Sequence, residues 1–256
     1  MQRACGVLLL LLPFATAHAV GPNNVLNDTG AVAFGNETQN NLTSEPASHP
    51  RQDSSFGRDA ANAIGALPKV GAGPRGFDFT KVANNGGQLP DNAALGFAAG
   101  DWGCTYDNVT GLLWEVKVSA PTHLRSASNT YTWFNTDPAT NGTFEGTPNG
   151  GNCPIAGHCD TTQFVADVNA AGLCGHTDWR LPRLKELESL IDFAVTIPGP
   201  TIVQSWFPNT APFGHWTATA YNLDASAAWI AFFDTGASWS WQKWRSYAVR
   251  LVRQGL

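Results

Sequence analysis

An α+β fold is the class this chain predicts, and three features of its sequence carry that expectation. Two segments, 162–171 and 183–193, space their apolar residues as helices do. Several short apolar runs, separated by Gly, Asn and Pro turns, read as strands. All ten Trp and all four Tyr lie beyond residue 101, so the large side chains needed for a core are gathered in the C-terminal part.

Residues 1–19 read as a secretory signal. Arg3 supplies a positive start, Val7 to Ala17 an apolar run, and Ala17-His18-Ala19 a small-x-small cleavage site. That run falls well short of the roughly 20 residues that span a bilayer. The mature chain is therefore expected to be secreted, periplasmic or on the cell surface, with no integral membrane segment. Residues 20–100 are rich in Asn, Gly, Ala, Ser and Pro, with loop steps such as Gly73-Pro74 and Asn85-Gly86-Gly87. With little large apolar surface to offset ordering entropy, they predict an irregular, partly disordered arm, packed locally at Phe77-Asp78-Phe79. The globular domain is placed at 101–254.

Within that domain a strand is expected over 112–118, after the turn at Asp107-Asn108-Val109-Thr110-Gly111, and another over 131–134. Residues 135–160 form a Gly/Asn/Pro loop too long for a passive connection. The helix at 162–171 buries Phe164, Val165 and Val168. The helix at 183–193 buries Leu184, Leu187, Leu190 and Ile191, with Pro182 at its start and Glu186 and Glu188 near its N-terminal half. Further strands are expected at 215–220, 227–233 and 246–252. Two helices on small, mostly antiparallel sheets follow from this order.

Four cysteines follow the signal: Cys104, Cys153, Cys159 and Cys174. An even count in an exported chain suggests two disulfides out of three possible pairings. The short Cys153–Cys159 loop can close locally, which leaves Cys104 with Cys174. A thiol nucleophile, or a metal held with His158 and His176, are the competing uses. Cys-x5-Cys is not a usual zinc spacing, and no metal is assigned.

At Asp178-Trp179-Arg180-Leu181-Pro182, followed by Lys185-Glu186-Leu187, the chain resembles the Lcl C-terminal family, also called DUF1566. Asp107-Asn108-Val109-Thr110-Gly111-Leu112-Leu113-Trp114-Glu115, Trp206-Phe207-Pro208-Asn209, Ala228-Trp229 and Tyr247 to Arg253 carry the same resemblance over about 101–254. It implies a C-type lectin-like domain, similar also to formylglycine-generating enzymes, whose long loops carry the ligand site. Some relatives of this kind are bacterial adhesins for sulfated polysaccharides. Others look like receptors diversified by retroelements in their C-terminal loops. The resemblance also orients strand 227–233, whose two faces are both apolar: Trp229, Ala231 and Phe233 are expected inward, Ile230 and Phe232 toward the ligand or a partner.

Trp179, Arg180, Pro182, Trp114, Trp206 and Trp216 read as architecture, with Arg180 satisfying loop carbonyls or a carboxylate such as Asp192. The sharpest functional candidate is the Trp239-Ser240-Trp241-Gln242-Lys243-Trp244 loop, with Tyr221, Asn222 and Asp224 from the preceding hairpin loop. Three Trp within six residues exceed what one turn of a small domain easily buries, and such rings suit sugar stacking or a protein hot spot. The expected partner is a glycan or a cell-surface protein. A formal net charge of −5 gives no basic face for nucleic acid. No catalytic residues are assigned: Gly-x-Ser-x-Gly, His-Glu-x-x-His and phosphate-loop motifs are all missing. No cofactor is expected, since the sugar-calcium signatures Glu-Pro-Asn, Gln-Pro-Asp and Trp-Asn-Asp are also missing, although lectin-like folds often hold calcium. The other roles weighed are an assembly subunit with a buried Trp loop and a formylglycine-generating-like enzyme.

Overall fold

The computed structural model describes Asn23 and residues 25–256. The expected signal over 1–19 lies outside the described residues. Helix α1 (Gly57–Ala63) precedes the strands β1 (Phe79–Ala83), β2 (Gln88–Leu89), β3 (Trp102–Asp107), β4 (Leu112–Glu115) and β5 (Tyr131–Thr132). Helices α2 (Thr161–Ala170) and α3 (Leu184–Glu188) follow, and then β6 (Gly214–Ala220), β7 (Ala227–Phe232), β8 (Ser238–Gln242), β9 (Ser246–Tyr247) and β10 (Val252–Gln254). They build a five-stranded sheet in the order β10-β4-β3-β1-β2, a pair β5-β9 and a three-stranded sheet β6-β7-β8. Every pairing between these strands is antiparallel. The fold is thus α+β, with small antiparallel sheets and few helices. Among the described residues no helix is long and apolar enough to cross a membrane.

The N-terminal arm departs from expectation. β1 lies inside the five-stranded sheet against β3, so the ordered frame begins well before residue 101. Phe77 and Phe79 are buried with Trp114, Leu187, Trp206 and Phe207, and their packing is long-range rather than local. Upstream of them, polar groups replace apolar area. The buried Asp59 carboxylate accepts the backbone N–H of Gly30 and of Gly76, each at 2.7 Å. The Arg75 guanidinium pairs with buried Asp192, which ties the arm to the loop after α3. A count of Trp and Tyr misses both devices.

Local chemistry sets the helix bounds. Asp160 caps α2 by accepting the Gln163 N–H at 3.0 Å. α3 stops at Glu188 instead of running to 193. The Ser189 hydroxyl donates back to the Glu186 carbonyl, and the Asp192 N–H is taken by Thr201. Leu190 and Ile191 still reach the core from this tightened turn. The segment expected as one strand over 246–252 divides between β9 and β10, which belong to different sheets. The Trp239–Trp244 segment expected as a loop lies largely in a strand, β8, paired with β7 from Ala231↔Ser238 to Ala227↔Gln242.

Both inferred disulfides are present, Cys104–Cys174 and Cys153–Cys159. The second closes the far part of the 135–160 loop. Elsewhere that loop is pinned to the strand region by Thr130 with Asn152 and by Thr147 to Trp133.

His215, on β6, is buried with its ring edge-on to Phe233 at 4.9 Å and Nδ1 3.0 Å from the Phe213 carbonyl. Burial, with the nearby Arg250 and Lys117 charges, pulls its pKa down to about 3. The folded state thus holds it neutral, and its contribution is complete above the unfolded value and lost as pH falls toward 3. Between pH 7 and pH 5 this one group should remove roughly 2 kcal/mol of stability. Burial pushes the Asp107 carboxyl up to about 6, which gives the opposite slope, so the comparison must be with a variant. Urea midpoints of wild type and His215→Leu at the two pH values provide it; equal slopes would refute the assignment.

Candidate functional site

The residues singled out around the Trp loop separate into three groups in space. The first is an aromatic surface on β8 and the turn after it. Trp239 and Trp241 pair with Ile230 and Ala228, so they share one face of the sheet. Trp102, Trp114, Trp133, Trp179, Trp206 and Trp216 are at most 5% exposed, whereas Trp239 is 62% and Trp244 58% exposed. Trp241 is half-buried against the core. A turn closed by the Arg245 N–H on the Gln242 carbonyl at 3.0 Å brings Arg245 back over these rings. Its guanidinium carbon lies 5.0 Å from the Trp241 centroid and 4.8 Å from that of Trp244. Each exposed indole forgoes roughly 2–3 kcal/mol of burial, taking about 25 cal/mol per Å2 over half of its surface. β8 is also an edge of its sheet.

The second group lines a cleft of about 680 Å3. Tyr221 and Asn222, which follow β6, are among the residues that line it. Residues of the 133–142 stretch, the first turn of α2, and Arg180, Leu181 and Arg183 also line it. Tyr221 is held edge-on to Trp229 at 5.3 Å. Arg180 binds neither loop carbonyls alone nor Asp192: its NH1 and NH2 donate to the two carboxylate oxygens of Glu186, at 2.7 and 2.8 Å. Asp192 is instead the partner of Arg75.

The third group is structural, and it corrects two assignments. Ile230 does not face a ligand: it is fully buried with Trp216 and Tyr131. The middle strand of a three-stranded sheet is covered on both sides here, with Ala231 and Phe233 in a second core cluster. Phe232 is half-buried, edge-on to Tyr247 at 6.3 Å, and Trp229 is half-buried rather than fully inward. Lys243 is fully buried as well. Its ammonium donates to the carbonyls of Asn141 at 2.7 Å and Phe144 at 2.6 Å and sits 4.3 Å over the Trp133 ring. Burial lowers its pKa to about 8. It anchors the 141–144 loop and cannot reach a ligand. Asp224 is exposed but spent on the Ser226 N–H and hydroxyl, which hold its carboxyl below the usual range. Gln242 is half-buried.

Arg245 and the cleft are not among the sequence-predicted site residues. Arg245 had a signal, a cation placed four residues after Trp241 and one after Trp244. The cleft had none, because its walls come from segments 133–142, 161–165, 180–183 and 218–222. Among the described residues no group of three or more His, Cys, Asp or Glu could hold a metal ion.

A family model described as the Lcl C-terminal domain matches residues 103–253. No curated protein and no solved structure matches the chain.

Proposed function

The chain belongs to the Lcl C-terminal domain family over residues 103–253, and from that premise we propose that it is an exported binding module which docks a glycan on its aromatic surface. In this reading the domain is C-type lectin-like, the signal over 1–19 directs export, and the module acts in adhesion. It binds without calcium and catalyses nothing. The observation that carries the reading is the exposure of Trp239 and Trp244, with Arg245 stacked between Trp241 and Trp244. Flat apolar faces beside a cation suit pyranose rings, whose C–H faces stack while their hydroxyls or acidic groups meet polar neighbours. The four cysteines are held in disulfides, which supports a role without thiol chemistry. Retroelement-driven variation of the C-terminal loops would fall on this same surface.

A glycan array of the mature chain tests the proposal, with Trp239→Ala/Trp244→Ala as the comparison. Loss of both rings should weaken binding by roughly 2–4 kcal/mol, about 30- to 1,000-fold. Both are exposed, so the variant should keep its fold, as far-ultraviolet circular dichroism would report. Unchanged binding by a folded variant overturns the site.

A second reading, an assembly subunit with these indoles at a protein interface, is favoured by the position of β8 at a sheet edge. Solution mass with acrylamide quenching separates the two, since an interface shields the indoles and an open ligand face does not.

A further inference from the structure

We propose that β8 pairs edge to edge with β8 of a second copy of this chain, joining two three-stranded sheets into one. The inference deepens the assembly reading above and rests on it, naming the partner and its register. Two hydrogen bonds fix which way the β8 backbone points. The Ala237 carbonyl accepts the Phe232 N–H, and the Lys243 N–H reaches the Ser226 carbonyl, each at 2.8 Å. The register between them is unbroken, so Trp239 and Trp241, which lie in phase with both, turn their N–H and C=O groups toward β7. The backbone groups of Ser238, Ser240 and Gln242 therefore point off the edge of the sheet. Among the described residues the Gln242 carbonyl takes the Arg245 N–H, and the other outward groups have no partner.

Monomeric proteins guard such an edge with Lys, Pro or a bulge. β8 has none of these: it reads Ser-Trp-Ser-Trp-Gln, its register with β7 does not shift, and the adjacent Lys243 is buried. It is instead complementary to itself. Antiparallel pairing about a two-fold axis at Ser240 sets Ser240 against Ser240, exchanging both backbone bonds, and Ser238 against Gln242. Trp239 of each copy then lies across from Trp241 of the other, on one face of the joined sheet, in a close pair that covers exposed indole. Charge agrees with this register. Asp234 and Arg245 flank β8 at opposite ends, and neither forms an ion pair among the described residues. The Asp234 carboxylate accepts the Thr235 hydroxyl at 3.3 Å, and the Arg245 guanidinium stacks on indoles. Carried past the strand ends, the register brings Arg245 of each copy opposite Thr235 of the other, one residue from Asp234. A second copy supplies the aromatic and the charge match together, by symmetry.

Sedimentation equilibrium of the mature chain provides the first test. It should show monomer and dimer in exchange, with a dissociation constant between about 1 μM and 1 mM, as a small interface gives. Cysteine variants then read the register. Ser240→Cys should cross-link two copies under mild oxidant, because the Cα atoms of such a pair lie about 5.5 Å apart. Ser238→Cys should not, because its two copies stand about 14 Å apart along the strands. Ser240→Lys sets two like charges face to face and should weaken the dimer at least about tenfold, with far-ultraviolet circular dichroism unchanged. Arg245→Glu should weaken it about threefold or more, and Asp234→Arg/Arg245→Glu should restore it. A monomer at every concentration, with indoles open to acrylamide, overturns this proposal and the assembly reading together. A dimer that is indifferent to Ser240→Lys and Arg245→Glu, or that cross-links through Ser238→Cys as readily as through Ser240→Cys, overturns the edge pairing alone. The assembly reading then stands with another contact.

Discussion

Replacing Glu115 with alanine should destabilise the fold by about 3–5 kcal/mol at pH 7, the cost of leaving buried cations without their counter-charge. Glu115 lies on β4 with no exposed surface. One carboxylate oxygen pairs with the Lys117 ammonium at 2.7 Å, and the other accepts the Leu251 N–H at 2.9 Å. Its backbone carbonyl accepts from Arg250, whose second nitrogen reaches the Thr210 hydroxyl at 2.7 Å. Arg125 is buried nearby, donating to the carbonyls of Gly103 and Val116. Burial already lowers Lys117 to about 8 and Arg250 to about 10. Without the carboxylate Lys117 must fall further, so the folded variant releases its proton at lower pH than the wild type. Because the unfolded chain then holds more protons, the variant regains stability as pH rises. Its deficit should therefore be smaller at pH 9 than at pH 7. Guanidinium unfolding at both values measures this. The double variant Glu115→Leu/Lys117→Met, which removes charge and partner together, should recover much of the loss. A loss under about 1 kcal/mol in Glu115→Ala would mean that water or a rearranged partner serves these cations.

Cys104→Ser/Cys174→Ser should cost about 4 kcal/mol, against about 2 for Cys153→Ser/Cys159→Ser. The bonds close separations of 70 and 6 residues, and a longer loop restricts the unfolded chain more. Cys104 and Cys174 are also fully buried, joining β3 to the Leu173–Gly175 turn within the main core cluster. Cys153 is partly exposed. Under mild reductant the native protein should therefore open the 153–159 bond first, and the 104–174 bond only when the whole domain unfolds. Thermal melts of both variants and timed thiol alkylation of the wild type check the two halves. Equal melting losses would show that loop length does not govern these bonds.

Much of the frame was legible residue by residue. The spacing of Phe164, Val165 and Val168 marked α2 to within a residue. Trp114, Trp179, Trp206 and Trp216 read as core and are buried. The Cys153–Cys159 spacing pointed to local closure, and that bond forms. The arm was illegible for a specific reason: a hydrogen-bonded Asp59 and two Phe rings order it, and neither leaves a periodic trace. The candidate site was legible only in part. Trp239, Trp241 and Trp244 stood out by type, but the apolar face of Ile230 and the surface chemistry of Lys243 pointed the wrong way.

The sequence by itself determined the α+β class, the family, the two helices that flank the core and the cluster of indoles near the C-terminus. These depend on composition, short-range periodicity and local capping, which are properties of neighbours along the chain. Only the tertiary structure decided which indoles stay in water, that Lys243 is a buried strut, that Arg245 lies over the Trp rings and that a cleft exists at all. Burial and the choice of hydrogen-bond partner depend on which distant segments meet. Strand 227–233 is apolar on both faces, and it could not announce that both would be covered. That was settled when two core clusters closed over it from opposite sides.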